Sequence, residues 1–223
     1  MNWNLTPKEA IELQKKLRSE VRLVPLAKMP TIIGGCDVSM NRFAKEGFAG
    51  FVTLDFKTLE MVDHSVIEDT IPFLYIPGLL SFREIPMLLA AWEKLKTKPE
   101  VLFVDGVGIA HPRRLGIATH LGLVLNIPTV GCGKSILYGK YEEPAAAAGS
   151  ISYMHDPKTG EIIGAALRTK DKVKPMFISP GHLITLEDSL TLVRAAIRKH
   201  RLPEPTRLAH NTVNEYRVRA MLH

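Results

Sequence analysis

The chain has 223 residues, 46% hydrophobic and 23% charged, which suits one globular domain with a sizeable core over residues 1–223. Lys and Arg number 29 against 23 Asp and Glu, a formal net charge of +6 that fits a polyanionic partner and equally a solvated basic face. Two cysteines are too few for a disulfide framework and no apolar run approaches membrane-spanning length; a disulfide scaffold and a membrane protein are excluded, and the expected setting is a reducing cytoplasm.

Thr6-Pro7-Lys8-Glu9 is a capping-box pattern with proline at the first helical position, so an amphipathic helix over residues 7–22, rather than a signal peptide, opens the chain. Residues 31–38 read as a strand. After a polar loop, residues 48–56 and 59–67 read as antiparallel strands joined by a turn at Lys57 and Thr58. The spacing of Phe82, Ile85, Leu89 and Trp92 predicts a helix over residues 79–95, kinked at Pro86 unless that proline falls in the first turn. There follow a strand over 101–105, a helix from about Leu115, a strand over 128–130 and a glycine-rich exit into Lys134. Glu142-Glu143-Pro144 and the alanines behind it read as loop. Strands resume at 161–168 and 176–179, and two helices close the chain, one capped by Thr185 and one after Pro203-Glu204-Pro205. The fold expected is α/β: a mixed sheet of three antiparallel strands, then parallel strands alternating with helices that cover it.

The chemistry concentrates where the apolar strand Val101-Leu102-Phe103-Val104 ends in Asp105, followed by Gly106, Gly108, His111 and two arginines. A strand of this kind is buried on both faces, so its end opens into the crevice of the sheet. Asp37 also ends an apolar strand; if the two strands are adjacent, both carboxylates converge on an oxygen-ligand site for Mg²⁺. Each alone reads as well as a turn former. Glu84, near a helix start, is either a carboxylate favoured by the helix dipole or a third acid facing the site. Tyr75, held between Pro72 and Pro77, is either a packed anchor or an aromatic wedge between bases. Gly131-Cys132-Gly133-Lys134-Ser135 is not a Walker loop, because Pro128 stands where the loop needs glycine; Lys134 past the strand end can still meet a phosphate as a point charge. His111 and His210 are candidates for proton transfer.

At these residues the chain resembles the endonuclease V family, the deoxyinosine-specific nucleases of DNA repair. The blocks that carry the resemblance are Gly35-Cys36-Asp37-Val38-Ser39, Tyr75-Ile76-Pro77-Gly78-Leu79-Leu80-Ser81-Phe82-Arg83-Glu84, Val104-Asp105-Gly106-Val107-Gly108, His111-Pro112-Arg113-Arg114-Leu115-Gly116 and Leu202-Pro203-Glu204-Pro205-Thr206-Arg207. The resemblance implies a ribonuclease H-like fold in which the first and fourth strands lie side by side and bring Asp37 and Asp105 together. It implies Mg²⁺ (Mn²⁺ as a substitute) on those two aspartates, Glu84 completing the acidic site, and His210 at the family's fourth position. Tyr75 would be the wedge, with the hypoxanthine base turned into a pocket near Gly106, Gly108 and His111. Two departures stand out: Leu74 precedes the tyrosine where the family commonly has proline, and the block before Lys134 is Cys132-Gly133 where the family has Val-Ala.

The activity this implies is hydrolysis of the second phosphodiester bond 3′ to deoxyinosine in DNA, leaving 3′-hydroxyl and 5′-phosphate ends. Two alternatives stay open: an endoribonuclease acting on inosine-containing RNA, and a non-catalytic binder of distorted nucleic acid. Clustered carboxylates repel phosphate unless a cation intervenes, which weighs against the binder.

Overall fold

The structure, a computed structural model, describes residues 3–40, 45–220 and 222; residues 41–44, within the expected polar loop, lie outside the described residues. The capping box forms as the sequence predicts, with the Thr6 side chain accepting from the Glu9 amide and the Glu9 carboxylate returning to the Thr6 amide. Helix α1 (Pro7–Leu17) is shorter than expected and tightens into a single 3₁₀ turn, Arg18–Glu20.

The strands are β1 (Ile32–Ser39), β2 (Glu46–Asp55), β3 (Met61–Thr70), β4 (Val101–Val104), β5 (Thr129–Gly133), β6 (Ile151–His155), β7 (Ile162–Leu167) and β8 (Met176–Pro180). They form one sheet in the order β3-β2-β1-β4-β5-β8-β7-β6. β1 to β3 are antiparallel, as expected, and β4 and β5 continue parallel to β1. The parallel part stops there, because β8 returns antiparallel to β5 and carries β7 and β6 as a meander. β6, an edge strand, had not been anticipated: Ile151-Ser152-Tyr153-Met154-His155 buries only Met154 fully, so it lacks an apolar run.

Helices α2 (Leu80–Lys94) and α3 (Ile117–Leu125) cover one face, and α4 (Leu186–Ala195) and α5 (Glu204–Ala220) the other. Pro86 lies in the interior of α2, past its first turn, yet the helix runs on through it. The two faces follow the pleat. Cys36 and Val104 join Ile85, Leu88 and Leu121 in one core, while Ile33 and Phe103 join Val193 and Ala209 in the other. Both cysteines are buried and unbridged, and no described helix is long and apolar enough to cross a membrane.

Candidate active site

Strand register positions the two aspartates. Cys36 and Val104 are partners on parallel β1 and β4, so Asp37 and Asp105, one residue further along each, come to the same end of the sheet. α2 then brings Glu84 from one face and α5 brings His210 from the other. These four side chains and Lys134 line a cavity of ≈ 350 Å³.

α5 can lie this close because β1 and β2 carry glycines beneath it. A Cβ on Gly35 would stand 2.0 Å from the Pro205 carbonyl oxygen, and one on Gly50 2.9 Å from Val213 Cγ2. His210 Nδ1 reaches Asp37 Oδ2 at 3.0 Å, and Lys134 pairs with Asp105. The Asp37 side chain is only 11% exposed. Burial and the neighbouring Asp105 raise its pKa, while His210 and Lys134 pull the other way. Glu84 is pushed up to about 8 by burial first, then by Asp37 and Asp105, with Arg83 opposing. The site therefore gathers three acidic side chains round one lysine.

That donor set suits a hard divalent cation. Among the described residues no three His, Cys, Asp or Glu side chains are already gathered at ligand spacing. Mg²⁺ commonly takes one or two carboxylates and completes its shell with water and substrate phosphate, so the pair Asp37 and Asp105 fits it.

A second cavity of ≈ 370 Å³ adjoins the first, sharing Asp105, Ile117 and Lys134, and is walled by Tyr75, Leu80, Gly106 and His111. Its volume lies within the range of small-molecule pockets. Tyr75 is 49% exposed and Leu74 75% exposed, on a loop tied down at both ends. Arg83 donates to the Phe73 carbonyl at 2.6 Å, and the Gly78 carbonyl accepts from Gln14, Arg113 and His111 at 3.0, 2.8 and 3.2 Å. Gly78 itself has φ +80°, a left-handed turn that suits glycine.

His111 is a wall and a clamp. Its Nδ1 accepts from the Arg113 amide at 3.1 Å and its Nε2 faces the Gly78 carbonyl, so both ring nitrogens are engaged. Burial and Arg113 lower its pKa to about 4, which keeps it neutral. Gly106 lines the second cavity, where a Cβ would strike Ile117 Cγ2 at 2.5 Å. Gly108 sits behind the wall, its amide donating to Ser179 Oγ at 2.7 Å and its Cα facing the Pro180 carbonyl too closely for a side chain.

A family profile for endonuclease V matches residues 15–211. The chain belongs to the endonuclease V family. An endonuclease V of Dictyoglomus turgidum is 51% identical over 203 residues, 91% of this chain and 87% of the relative. The crystal structure of endonuclease V from Streptomyces avermitilis superposes with a TM-score of 0.92 at 36% identity, covering 99% of this chain and 96% of that one. An endonuclease V of Ciona intestinalis was crystallised with a 23mer DNA containing an inosine followed by a ribo-adenosine. It is 25% identical, with a TM-score of 0.77, and the match covers 95% of this chain and 98% of that one.

Within this endonuclease V fold, the sequence-predicted Asp37, Glu84, Asp105, Lys134 and His210 come together, while Tyr75, Gly106 and His111 line the adjoining cavity. Sequence reasoning missed Asn214, whose amide nitrogen lies 3.0 Å from His210 Nε2, and Ser39, which donates to Asn214 Oδ1 at 2.7 Å. The signal was available: Asn214 follows His210 by one helical turn, and Ser39 follows Asp37 on the same strand face.

Proposed function

We propose that this protein is a metal-dependent endonuclease that recognises deoxyinosine in DNA and hydrolyses the second phosphodiester bond on its 3′ side. The single observation that carries the reading is the convergence of Asp37, Glu84 and Asp105 beside a cavity of ≈ 370 Å³ rimmed by an exposed tyrosine. The Ciona intestinalis relative's inosine-containing DNA supports the same substrate class. Residues 1–223 would act as one domain, and the buried unbridged thiols suit a reducing cytoplasm.

Asp37 and Asp105 would hold Mg²⁺, or Mn²⁺ in its place. When bound, that ion would polarise the scissile phosphate and stabilise the leaving 3′ oxygen. Tyr75 would enter the stack beside the lesion, and the tied-down loop keeps the ring pre-positioned so that little entropy is lost on binding. The extruded base would lie against Leu80, Gly106 and Ile117. Lys134, paired with Asp105, would exchange that contact for a phosphate oxygen. Glu84 holds a proton near neutral pH in the metal-free protein and would give it up as positive charge enters, leaving a carboxylate to orient the attacking water.

The test is a gel assay of an end-labelled duplex with one deoxyinosine, beside an undamaged duplex, with Mg²⁺ or chelator. A metal-dependent nick one nucleotide beyond the lesion on its 3′ side is the expected result. Binding without cleavage under every metal condition would sink it in favour of a recognition module. The ribo-adenosine after the inosine in the relative's ligand favours one further arm, the same strand with a 2′-hydroxyl at that position. Faster cleavage there would move the reading toward inosine-containing RNA.

A further inference from the structure

The positive charge of the chain is not spread evenly. Residues 168–174 and 194–201 together hold eight of the 29 Lys and Arg but one of the 23 Asp and Glu, Asp171, which leaves 21 basic residues against 22 acidic ones elsewhere. The whole net charge of +6 therefore lies in two short segments. Solubility asks only for charges of both signs interspersed over the surface, not for this concentration.

The fold brings the two segments together. Lys170 Nζ donates to the Arg198 carbonyl at 3.1 Å, Thr169 Oγ1 to the Arg201 carbonyl at 2.8 Å, and Arg201 Nε to the Lys174 carbonyl at 2.7 Å. The acids beside them are engaged: Asp171 accepts from the Ala148 amide at 2.7 Å, and Glu143 pairs with Arg168 at 2.7 Å. Lys172, Lys174, Arg198 and Lys199 stand exposed.

Strand register puts this surface at the working end of the sheet. Gly133 is the partner of Phe177 and Leu167 of Met176, so the segment joining β7 to β8 lies where β5 leaves for Lys134 and where β1 and β4 leave for Asp37 and Asp105. Arg201 closes the gap, donating to the Lys134 carbonyl at 2.9 Å. From the boundary of β1 with β4 to that of β8 with β7 is three strand spacings, about 14 Å. Along a duplex rising about 3.4 Å per base pair, that is about four base pairs.

We propose that residues 168–174 and 194–201 form a docking surface for the phosphate backbone of duplex DNA on one side of the lesion, about four base pairs from the carboxylates. The role in repair rests on the nuclease reading above; the docking itself needs only a regularly spaced polyanion. Backbone contacts of this kind carry no sequence information. They hold the duplex in line with Asp37 and Asp105 while Tyr75 and the adjoining cavity test the base.

The experiment is fluorescence anisotropy, in chelator and over a salt series, with a duplex carrying one deoxyinosine and about ten base pairs on each side, roughly one helical turn. Combining Lys172→Gln, Lys174→Gln and Lys199→Gln should make the slope of log Kobs against log salt shallower by about 2 to 3, since each phosphate contact contributes about 0.9. A comparison variant combines Lys28→Gln, Lys57→Gln and Lys96→Gln, which remove the same charge from exposed positions toward the end of the sheet where β1 begins. It should keep the wild-type slope. Cutting one arm of the duplex to about three base pairs should erase the difference between the first variant and the wild type, and cutting the other should not. The proposal falls if the first variant keeps the wild-type slope, if the comparison variant loses as much, or if the two cuts act alike. Should the first variant fail to fold, Lys199→Gln alone must lower the slope by about 0.9. An undamaged duplex bound as tightly as the damaged one, with the slope difference intact, would instead overturn deoxyinosine recognition and leave the docking surface standing.

Discussion

Asp37 and Asp105 are neighbours because Cys36 and Val104 are register partners on two parallel strands. No loop has to fold correctly to bring them together, so their removal should separate chemistry from folding. Asp37→Ala and Asp105→Ala are expected to abolish most cleavage, a loss of about 10³-fold if each supplies several kcal/mol of transition-state stabilisation through the metal. Circular dichroism and melting should remain native. A folded Asp37→Ala protein that cuts at the wild-type rate would remove the site from consideration.

Glu84 gives the metal-free protein an unusual alkaline weakness. Its folded pKa of about 8 lies above the ordinary carboxylate value, so the folded state binds more protons than the unfolded one across that interval. Stability is then full below about pH 4.5 and declines as pH rises to about 8, by up to roughly 5 kcal/mol. Glu84→Gln should melt higher than the wild type at pH 8 in chelator, with the gap closing near pH 5. Melting curves that run parallel at both pH values would contradict the burial of an ionising Glu84 among acids.

Tyr75 should separate binding from stability. It is half exposed, on a loop tied down through Phe73 and Gly78. Tyr75→Ala is expected to leave the melting temperature within a degree or two of wild type and weaken binding to a deoxyinosine duplex by about 1–3 kcal/mol, the scale of one base–aromatic stack. Fluorescence titration in the presence of chelator reads this without turnover. Unchanged affinity would return Tyr75 to the role of a surface anchor.

Much of this was legible in the sequence because buried strands announce themselves. The runs ending at Asp37 and Asp105 are continuous and apolar, and their carboxylates stand out against them. What stayed hidden depends on partners distant in the chain. β6 has no apolar run because it is an edge strand that buries Met154 and little else. Pro86 is tolerated inside α2 although proline removes a backbone donor, and nothing local in Ile85-Pro86-Met87 announces that. Asn214 reads as an ordinary helix-surface residue until Ser39, 175 positions away, is seen beside it.

Gly35 should prove costly to replace for a reason unrelated to its own backbone conformation. A methyl group there would meet the Pro205 carbonyl oxygen at 2.0 Å, and neither partner is the movable end of a side chain. Gly35→Ala must therefore lift the first turn of α5 from β1, at a cost of about 1–3 kcal/mol typical of overpacking. Because α5 carries His210, activity should fall further than the stability loss alone explains at a temperature where the variant is fully folded. Equal activity in a destabilised Gly35→Ala would mean that the position of α5 does not govern the site.

His111 and His120 set the acid limit. Burial lowers both from the ordinary value of 6.5 to about 4, with Arg113 adding to the effect at His111. Here the unfolded state binds more protons, so stability is full above pH 6.5 and is lost as pH falls toward 4, by up to about 3 kcal/mol for each ring. The slope from Glu84 runs oppositely over part of this range, so the measurement belongs in the Glu84→Gln background. Urea unfolding there should show stability falling from pH 7 to pH 4.5. His120→Phe keeps a ring against Trp3 and Phe82 while removing a group that must charge, and it should make that slope shallower. An undiminished slope in His120→Phe would assign the acid sensitivity to the other buried histidines, His111 and His182.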